Sequence, residues 1–361
     1  MPLPFILAGA AIAAAVGAKK GYDGYQDKSR ADNIIEESKK LYRNKKDVFD
    51  VVNNNTSQAL ESLGELELKI GEDFDRFDRL VEEILRNNNF QKYGNTKIEL
   101  PKHKLNQIKE VAISATDYLR TAVGGGVSGA AAGFAVYGGV MALGAASTGT
   151  PIAALSGAAA YNATMAAIGG GSLAAGGWGM AGGAMVLGGA VVAPVLAVAG
   201  IAYAIHGSKA LENAQDVKQQ IADAVDKMDK AKEQLFRVEQ YAQKIASELE
   251  RIYVIFQEYF ELLKDVNEIV KNGDEEKIRN LTATANLYIQ NGIILAAIMA
   301  KLISTPLFKV KRDFEGGAIL GNDNLPQIQV DADGIQILDK ARLDKALETA
   351  SEDFYNFKNP R

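Results

Sequence analysis

The chain has 361 residues, a net charge of −5 and a pI near 5.4, and its mean hydropathy is close to zero at −0.07. It contains no cysteine and two histidines, His103 and His206, which excludes disulfides, thiolate metal centres and cysteine nucleophiles and argues against a histidine-built metal site. The acidic balance argues against a dedicated nucleic-acid binder. The near-zero hydropathy is a cancellation. Residues 121–208 contain no Asp, Glu, Lys or Arg but hold 22 of the 35 glycines, so all 40 basic and 45 acidic residues lie outside that block. An ordinary domain spreads its roughly 25% of charged residues along its length.

At the N-terminus, residues 2–18 form an uncharged apolar run that Lys19 and Lys20 follow. A secretory signal carries its basic residues ahead of the apolar core. The reverse order here, read with the positive-inside rule, predicts that the run dips into or crosses a membrane, with the rest of the chain on the cytoplasmic side. Phe5, Ile6, Leu7, Lys19 and Lys20 are the expected contact residues. The run is at the lower limit of spanning length; the competing expectation is a helix buried in a bundle or oligomer.

Residues 25–88 read as a helix. Ile34, Leu41, Val48, Val52, Ala59, Leu63, Leu66, Ile70, Phe77, Val81 and Ile84 recur at steps of three, four or seven, which places them on one helix face as the expected buried stripe. Asn53-Asn54-Asn55, Gly64 and Gly71 are the points where a bend is expected. Residues 87–101 read as a loop with a short strand at 97–100. A third helix begins after Pro101, uses Leu105, Ile108, Val111 and Ala112, and runs into the uncharged block.

The block divides at Thr148-Gly149-Thr150-Pro151, Gly169-Gly170-Gly171 and Gly188-Gly189 into four segments, the last containing Pro194. Gly125, Gly129 and Gly133 are four apart, as are Gly179 and Gly183, so each set lays a side-chain-free stripe along a helix. In lipid there is no hydrophobic drive between helices, and close packing of small residues supplies the attraction. In water Gly and Ala bury little apolar area, and Gly costs about 1 kcal/mol against Ala in a helix. The block therefore reads as a membrane-inserting region, with a buried helical hairpin in a soluble bundle as the competing expectation. Trp178, the only tryptophan, suits either a membrane interface or a packed core. The run Gly169–Gly177 lacks the Gly-Lys-Ser/Thr of a phosphate loop.

From Ser208 to Asn272 no Gly or Pro interrupts a second long helix, about 90 Å by its rise per residue. Val217, Ile221, Val225, Met228, Leu235, Val238, Ala242, Ile245, Leu249, Ile252, Phe256, Phe260 and Leu263 mark its buried face. Helices of this length belong to coiled coils, elongated bundles or stalks. Asn272-Gly273-Asp274 ends it. A further helix covers 275–304, and its uncharged stretch 281–300 carries Thr282, Thr284, Asn286, Gln290 and Asn291, which favours core over membrane. In the tail, 327–330 and 335–338 alternate with period two around Asp331-Ala332-Asp333-Gly334, which predicts a β-hairpin. The Asp-x-Asp-Gly lacks the remaining ligand spacing and the closing Glu of a calcium loop. A short helix at about 341–355 closes the chain.

Two resemblances are compositional or architectural. The stretch 156–177, Ser-Gly-Ala-Ala-Ala-Tyr-Asn-Ala-Thr-Met-Ala-Ala-Ile-Gly-Gly-Gly-Ser-Leu-Ala-Ala-Gly-Gly, resembles the glycine-rich apolar segment of interferon-inducible small mitochondrial membrane proteins, over about 50 residues with its flanks. The order of long helix 25–88, apolar block 121–208 and long helix 209–271 is similar to bacterial α-helical pore-forming toxins of the haemolysin E, Hbl/Nhe and two-component Xax/Yax type. That resemblance implies an apolar hairpin that leaves a helical body and inserts into membrane, and it brings no catalytic residue.

The expected fold is mainly α: an elongated bundle of long helices flanking a glycine-rich apolar hairpin region, with a small β-hairpin near the C-terminus. The expected segments are 1–20, membrane contact; 21–120, first bundle part; 121–208, membrane insertion; 209–305, second bundle part; and 306–361, hairpin and terminal helix. The expected function is a membrane-inserting, oligomer-forming protein, a toxin or a self-directed effector, that permeabilises or remodels a bilayer. Within it Gly125, Gly129, Gly133, Pro151, Gly170, Trp178, Gly179, Gly183 and Pro194 serve insertion and helix packing. The alternative is a constitutive membrane-anchored coiled-coil scaffold that docks a protein partner. The expected partners are a lipid membrane and further copies of the chain, without nucleic acid or small-molecule substrate. The expected location is the cytoplasm and a membrane surface. No cofactor, metal or enzymatic role is expected, because acids spread along helix faces, such as Glu248 three residues from Arg251, read as solvated surface.

Overall fold

The computed structural model describes residues 17–93, 102–121, 130–137, 210–314, 319, 327–332 and 335–360. Seven helices occur among them: α1 (Gly17–Arg86), α2 (Asn88–Tyr93), α3 (Lys102–Thr121), α4 (Ala130–Tyr137), α5 (Ala210–Asn272), α6 (Glu275–Ile303) and α7 (Lys340–Lys358). The mainly helical expectation holds. The chain divides into two compact units, Met1–Phe49 with Val191–Lys230, and Asp50–Ala190 with Ala231–Arg361.

In the first unit α1 and α5 form a parallel pair. Ala31 and Ile35 pack on Ala214, and further along both helices Lys45 meets Asp229 at 2.7 Å, so the two rise together. The buried positions of α1 are Ala31, Ile35, Ser38, Tyr42 and Phe49, and those of α5 are Ala214, Val217, Ile221, Ala224 and Met228. Both sets step by three, four or seven, the spacing of a coiled-coil seam. The structure corrects the sequence-derived stripe here. Leu41 and Val48 are 46% and 51% exposed. The seam with α5 accepts small and polar residues, Ala31 and Ser38, which a search for large apolar side chains passes over; the Ser38 hydroxyl is satisfied by donating to the Ile34 carbonyl at 2.6 Å.

In the second unit the same helices again run parallel. The Thr56 hydroxyl donates to the Leu235 carbonyl at 3.1 Å, the Tyr253 hydroxyl to Asp73 at 2.5 Å, and the Asn267 amide to Glu83 at 3.0 Å. Here α1 buries Leu60, Leu63, Glu67, Ile70, Phe74, Phe77, Val81 and Ile84, which step strictly by three and four. An aromatic cluster closes the seam. Phe256 stands edge-on to Phe74 at 5.7 Å between ring centres and is tilted against Phe77 at 5.2 Å; Phe260 meets Phe77 at 5.9 Å. Such pairs add about 0.5–1.5 kcal/mol beyond area burial. Asn53-Asn54-Asn55, Gly64 and Gly71 do not break α1, which is continuous through all of them.

Around this pair α3 returns antiparallel to α1, with Lys109 near Asp78 and Val111 and Ala115 beside Gly71. Gly273, at φ +72°, separates α5 from α6, and Asp274 caps α6 by accepting from the Lys277 N–H at 3.1 Å. Helix α6 is long and apolar enough to cross a membrane by length and composition, but most of its apolar stretch is buried. Its Thr282 is satisfied within the core by donating to the Ile278 carbonyl at 2.7 Å, in keeping with a core helix. Helix α7 lies along α5: Tyr241 donates to Asp344 at 2.5 Å, and Arg251 sits 5.0 Å from the ring of the buried Phe354.

Two expectations are corrected. Residues 88–93, expected in a loop, form α2, which Asn87 caps through its side-chain oxygen; residues 94–101, with the expected short strand, lie outside the described residues. The expected C-terminal β-hairpin does not form strands among the described residues. The segment is held by three isolated antiparallel bridges, Phe308 with Leu338, Val310 with Ile328, and Val330 with Gln336. The two predicted arms share one bridge, Val330 with Gln336; their other bonds go to 307–311 and to Ile319, so pairing is shared among short extended pieces instead of building one ladder. Asp331 accepts from the Ile335 N–H at 2.9 Å, the role of a turn residue.

Phe256→Ala is expected to lower unfolding free energy by about 3–5 kcal/mol, and Leu41→Ala by no more than about 0.5 kcal/mol, in urea melts followed by circular dichroism. Equal losses would mean that the stripe on α1 is misassigned.

Candidate functional site

The described part of the uncharged block is α4, an apolar helix without a charged residue. Its Ala131, Ala132, Phe134, Ala135 and Val136 are all buried in the core of the second unit. A helix made largely of alanine makes few contacts per residue, so its docking depends on close approach, and α1 provides for that. A Cβ placed on Gly64 would lie 1.8 Å from the Ala131 carbonyl oxygen, and one on Gly71 would lie 2.3 Å from the Ala115 Cβ. Gly64 and Gly71 are seven residues apart and share one side of α1. They form a side-chain-free notch that receives the start of α4 and the middle of α3.

Polar groups finish the junction. The Glu61 carboxylate accepts from the Ala132 N–H at 2.9 Å. This N–H belongs to the first turn of α4, where backbone donors lack partners within the helix and a negative charge opposes the dipole. On the far side of α4 the Val136 carbonyl accepts from the Leu307 N–H at 3.4 Å. Tyr118 of α3 packs on Phe134 at 5.6 Å.

Glu67 lies three residues after Gly64 and four before Gly71, in the register of the α1–α5 seam between Leu63 and Ile70. It is 2% exposed, and its Oε2 has no hydrogen-bond partner. Burial raises its carboxyl well above the ordinary value near 4.5. A carboxylate cannot be kept there at low cost, so the folded chain holds it protonated over a range in which an unfolded chain has released the proton. Thr116 on α3 also has a buried hydroxyl oxygen without a partner. The junction thus combines tight backbone approach with incompletely satisfied polar groups, which lowers its stability relative to a fully satisfied one.

Of the residues singled out from sequence, Gly133 lies in α4 between the buried Ala132 and Phe134, and Lys19 and Lys20 lie in the first turn of α1. Phe5, Ile6, Leu7, Gly125, Gly129, Pro151, Gly170, Trp178, Gly179, Gly183 and Pro194 lie outside the described residues. Sequence reasoning noted Gly64 and Gly71 as bends; their role is close packing. It passed over Glu61 and Glu67. The signal for Glu67 was present: an acid standing where the three-four repeat demands an apolar residue.

Elsewhere on the second unit a cleft of about 480 Å³ runs between α1 and α5. Most of its charges are spent on each other, Arg76 on Glu72 at 2.6 Å and Lys264 on Glu261 at 2.7 Å, while Lys69 lies over the Tyr253 ring. Among the described residues no group of three or more His, Asp or Glu is placed to hold a metal ion. Arg251 and Glu248 form an ion pair at 2.6 Å as their spacing allows, but Glu248 is largely covered and Arg251 also reaches Ser351 of α7 at 3.1 Å. Comparison with family models, with curated proteins and with solved structures finds no match for this chain.

Two outcomes are expected at the junction. Gly64→Ala gains about 1 kcal/mol of helix propensity but meets a backbone oxygen that no rotamer change can move. The clash exceeds that gain, and net destabilisation of about 1–3 kcal/mol is expected, measured by thermal unfolding. Glu67→Gln tests the buried acid. Because the folded-state value is raised, stability is lost as pH rises from about the unfolded value through the folded one. The variant is expected to melt higher than the parent at pH 8, with the gap closing towards pH 4; a pH-independent gap would show that the carboxyl does not titrate between the two states.

Proposed function

We propose that the chain is a membrane-active, oligomer-forming helical protein whose uncharged block, 121–208, enters a lipid bilayer and permeabilises or remodels it. The charged helices α1, α3, α5 and α6 act as the water-soluble body. The observation that carries this reading is α4. The one described helix of the uncharged block is shielded in the body by the side-chain-free surface at Gly64, the Glu61 carboxylate at its first turn and a core that retains an acid with one unpartnered oxygen. Shielding of this kind suits a segment with two solvents. It is held while the surroundings are aqueous, and it is released when lipid offers its remaining apolar length a better environment. The mainly buried α6 belongs to the body in this reading, and insertion falls to the block.

The test is dye leakage from liposomes with the purified full-length chain. Leakage is expected, and Glu61→Ala, which removes the cap on α4, is expected to accelerate it several-fold because α4 then leaves the body at lower cost. A chain that neither binds nor permeabilises vesicles overturns the proposal. A chain that is always extracted with membranes and never causes leakage supports the membrane-anchored scaffold instead.

A further inference from the structure

Helix α1 carries more apolar surface in the first unit than α5 covers. A two-stranded coiled coil needs one seam, and a helix that adds a third apolar position per heptad presents the wider face of a bundle with more helices. Next to the buried Ile35, Tyr42 and Phe49 stands a second set one residue earlier: Ile34, Leu41 and Val48, spaced by seven. Ile34 is half-buried, but Leu41 and Val48 face water at 46% and 51% exposure. Exposed large apolar residues scattered singly need no explanation, whereas a stripe in strict heptad register has the form of a packing surface.

The charges beside the stripe select the occupant. Lys40 and Asp47 are seven residues apart on one flank, both exposed, and neither has an ion pair among the described residues. Two copies of α1 crossing antiparallel about a two-fold axis at Asn44 would bring Leu41 to within one residue of the level of Val48 of the other copy, and Lys40 to within one residue of the level of its Asp47, each contact occurring twice. In a parallel, in-register pair the Lys40–Asp47 flanks of the two copies lie on opposite sides of the seam and do not meet, so this flank complements itself only in the antiparallel orientation.

We infer that the α1 stripe Ile34, Leu41 and Val48 is a homodimer seam, on which a second copy of this chain packs antiparallel with Lys40 and Asp47 forming reciprocal ion pairs. This deepens the oligomeric part of the function proposed above but does not depend on membrane insertion.

The test uses the full-length chain in buffer without lipid or detergent, so failure of pairing and failure of membrane activity are told apart. Sedimentation equilibrium is expected to show a reversible dimer. Leu41→Glu with Val48→Glu is expected to raise its dissociation constant roughly a hundredfold, with helicity by circular dichroism unchanged because both positions are exposed. Asp47→Lys alone is expected to weaken the dimer up to about tenfold at low salt, since the change acts twice by symmetry. The exchange Lys40→Asp with Asp47→Lys is expected to restore it. A monomer at all concentrations, or a dimer indifferent to Leu41→Glu with Val48→Glu, overturns the seam. A charge exchange that fails to restore pairing overturns the antiparallel orientation.

Discussion

The seam between α1 and α5 is the constraint on which the rest depends. It is a parallel contact between two helices of one chain, traced by Lys45 with Asp229 in the first unit and by Thr56 with Leu235, Asp73 with Tyr253 and Glu83 with Asn267 in the second. Antiparallel helices can be joined by a short turn, but parallel ones need a connection that travels back. Everything between Arg86 and Ala210 is that connection. Its first described pieces, α2 and α3, pack with α6 into the same core as the seam, and its uncharged remainder is tied to the body at α4.

The seam is not built for maximal stability. Its aromatic region, Phe74, Phe77, Phe256 and Phe260, is dense and dry, yet the positions at Ser38, Thr56 and Glu67 are polar. Ser38 and Thr56 return their hydroxyl protons to backbone carbonyls and cost little. Glu67 differs because one of its oxygens is buried without a partner. A polar group in a coiled-coil core lowers stability and narrows the set of registers the helices can adopt. Its place beside Gly64 and Gly71 puts that cost where α3 and α4 meet α1.

The legible part of this architecture was considerable. Three-four periodicity and the absence of Gly and Pro marked α5 to within a residue or two, and Pro101 marked the start of α3. The polar residues of α6 correctly predicted a core helix despite its apolar composition. The interruption at Gly64 and Gly71 was also visible, but its meaning was not. A glycine reads as a bend when the helix is considered alone, and as a notch once another backbone lies 1.8 Å from where its Cβ would be. The tail likewise showed alternation without showing that its extended pieces divide their hydrogen bonds among several partners.

Local chemistry by itself determined that the chain is mainly helical, where its second long helix runs, and that 121–208 does not share the composition of the charged segments. Those properties depend on residues a few positions apart, and the sequence states them directly. Only the tertiary structure decided which of two apolar stripes on α1 is buried. Leu41 and Val48 are strongly hydrophobic yet exposed, while α5 packs on Ala31, Ile35, Ser38, Tyr42 and Phe49, with Ile34 at the edge of that contact. Burial depends on how well two helix surfaces interdigitate, and small side chains let the helices approach where larger ones would hold them apart. Hydrophobicity ranks residues one at a time, whereas packing selects a face, and here the two disagree.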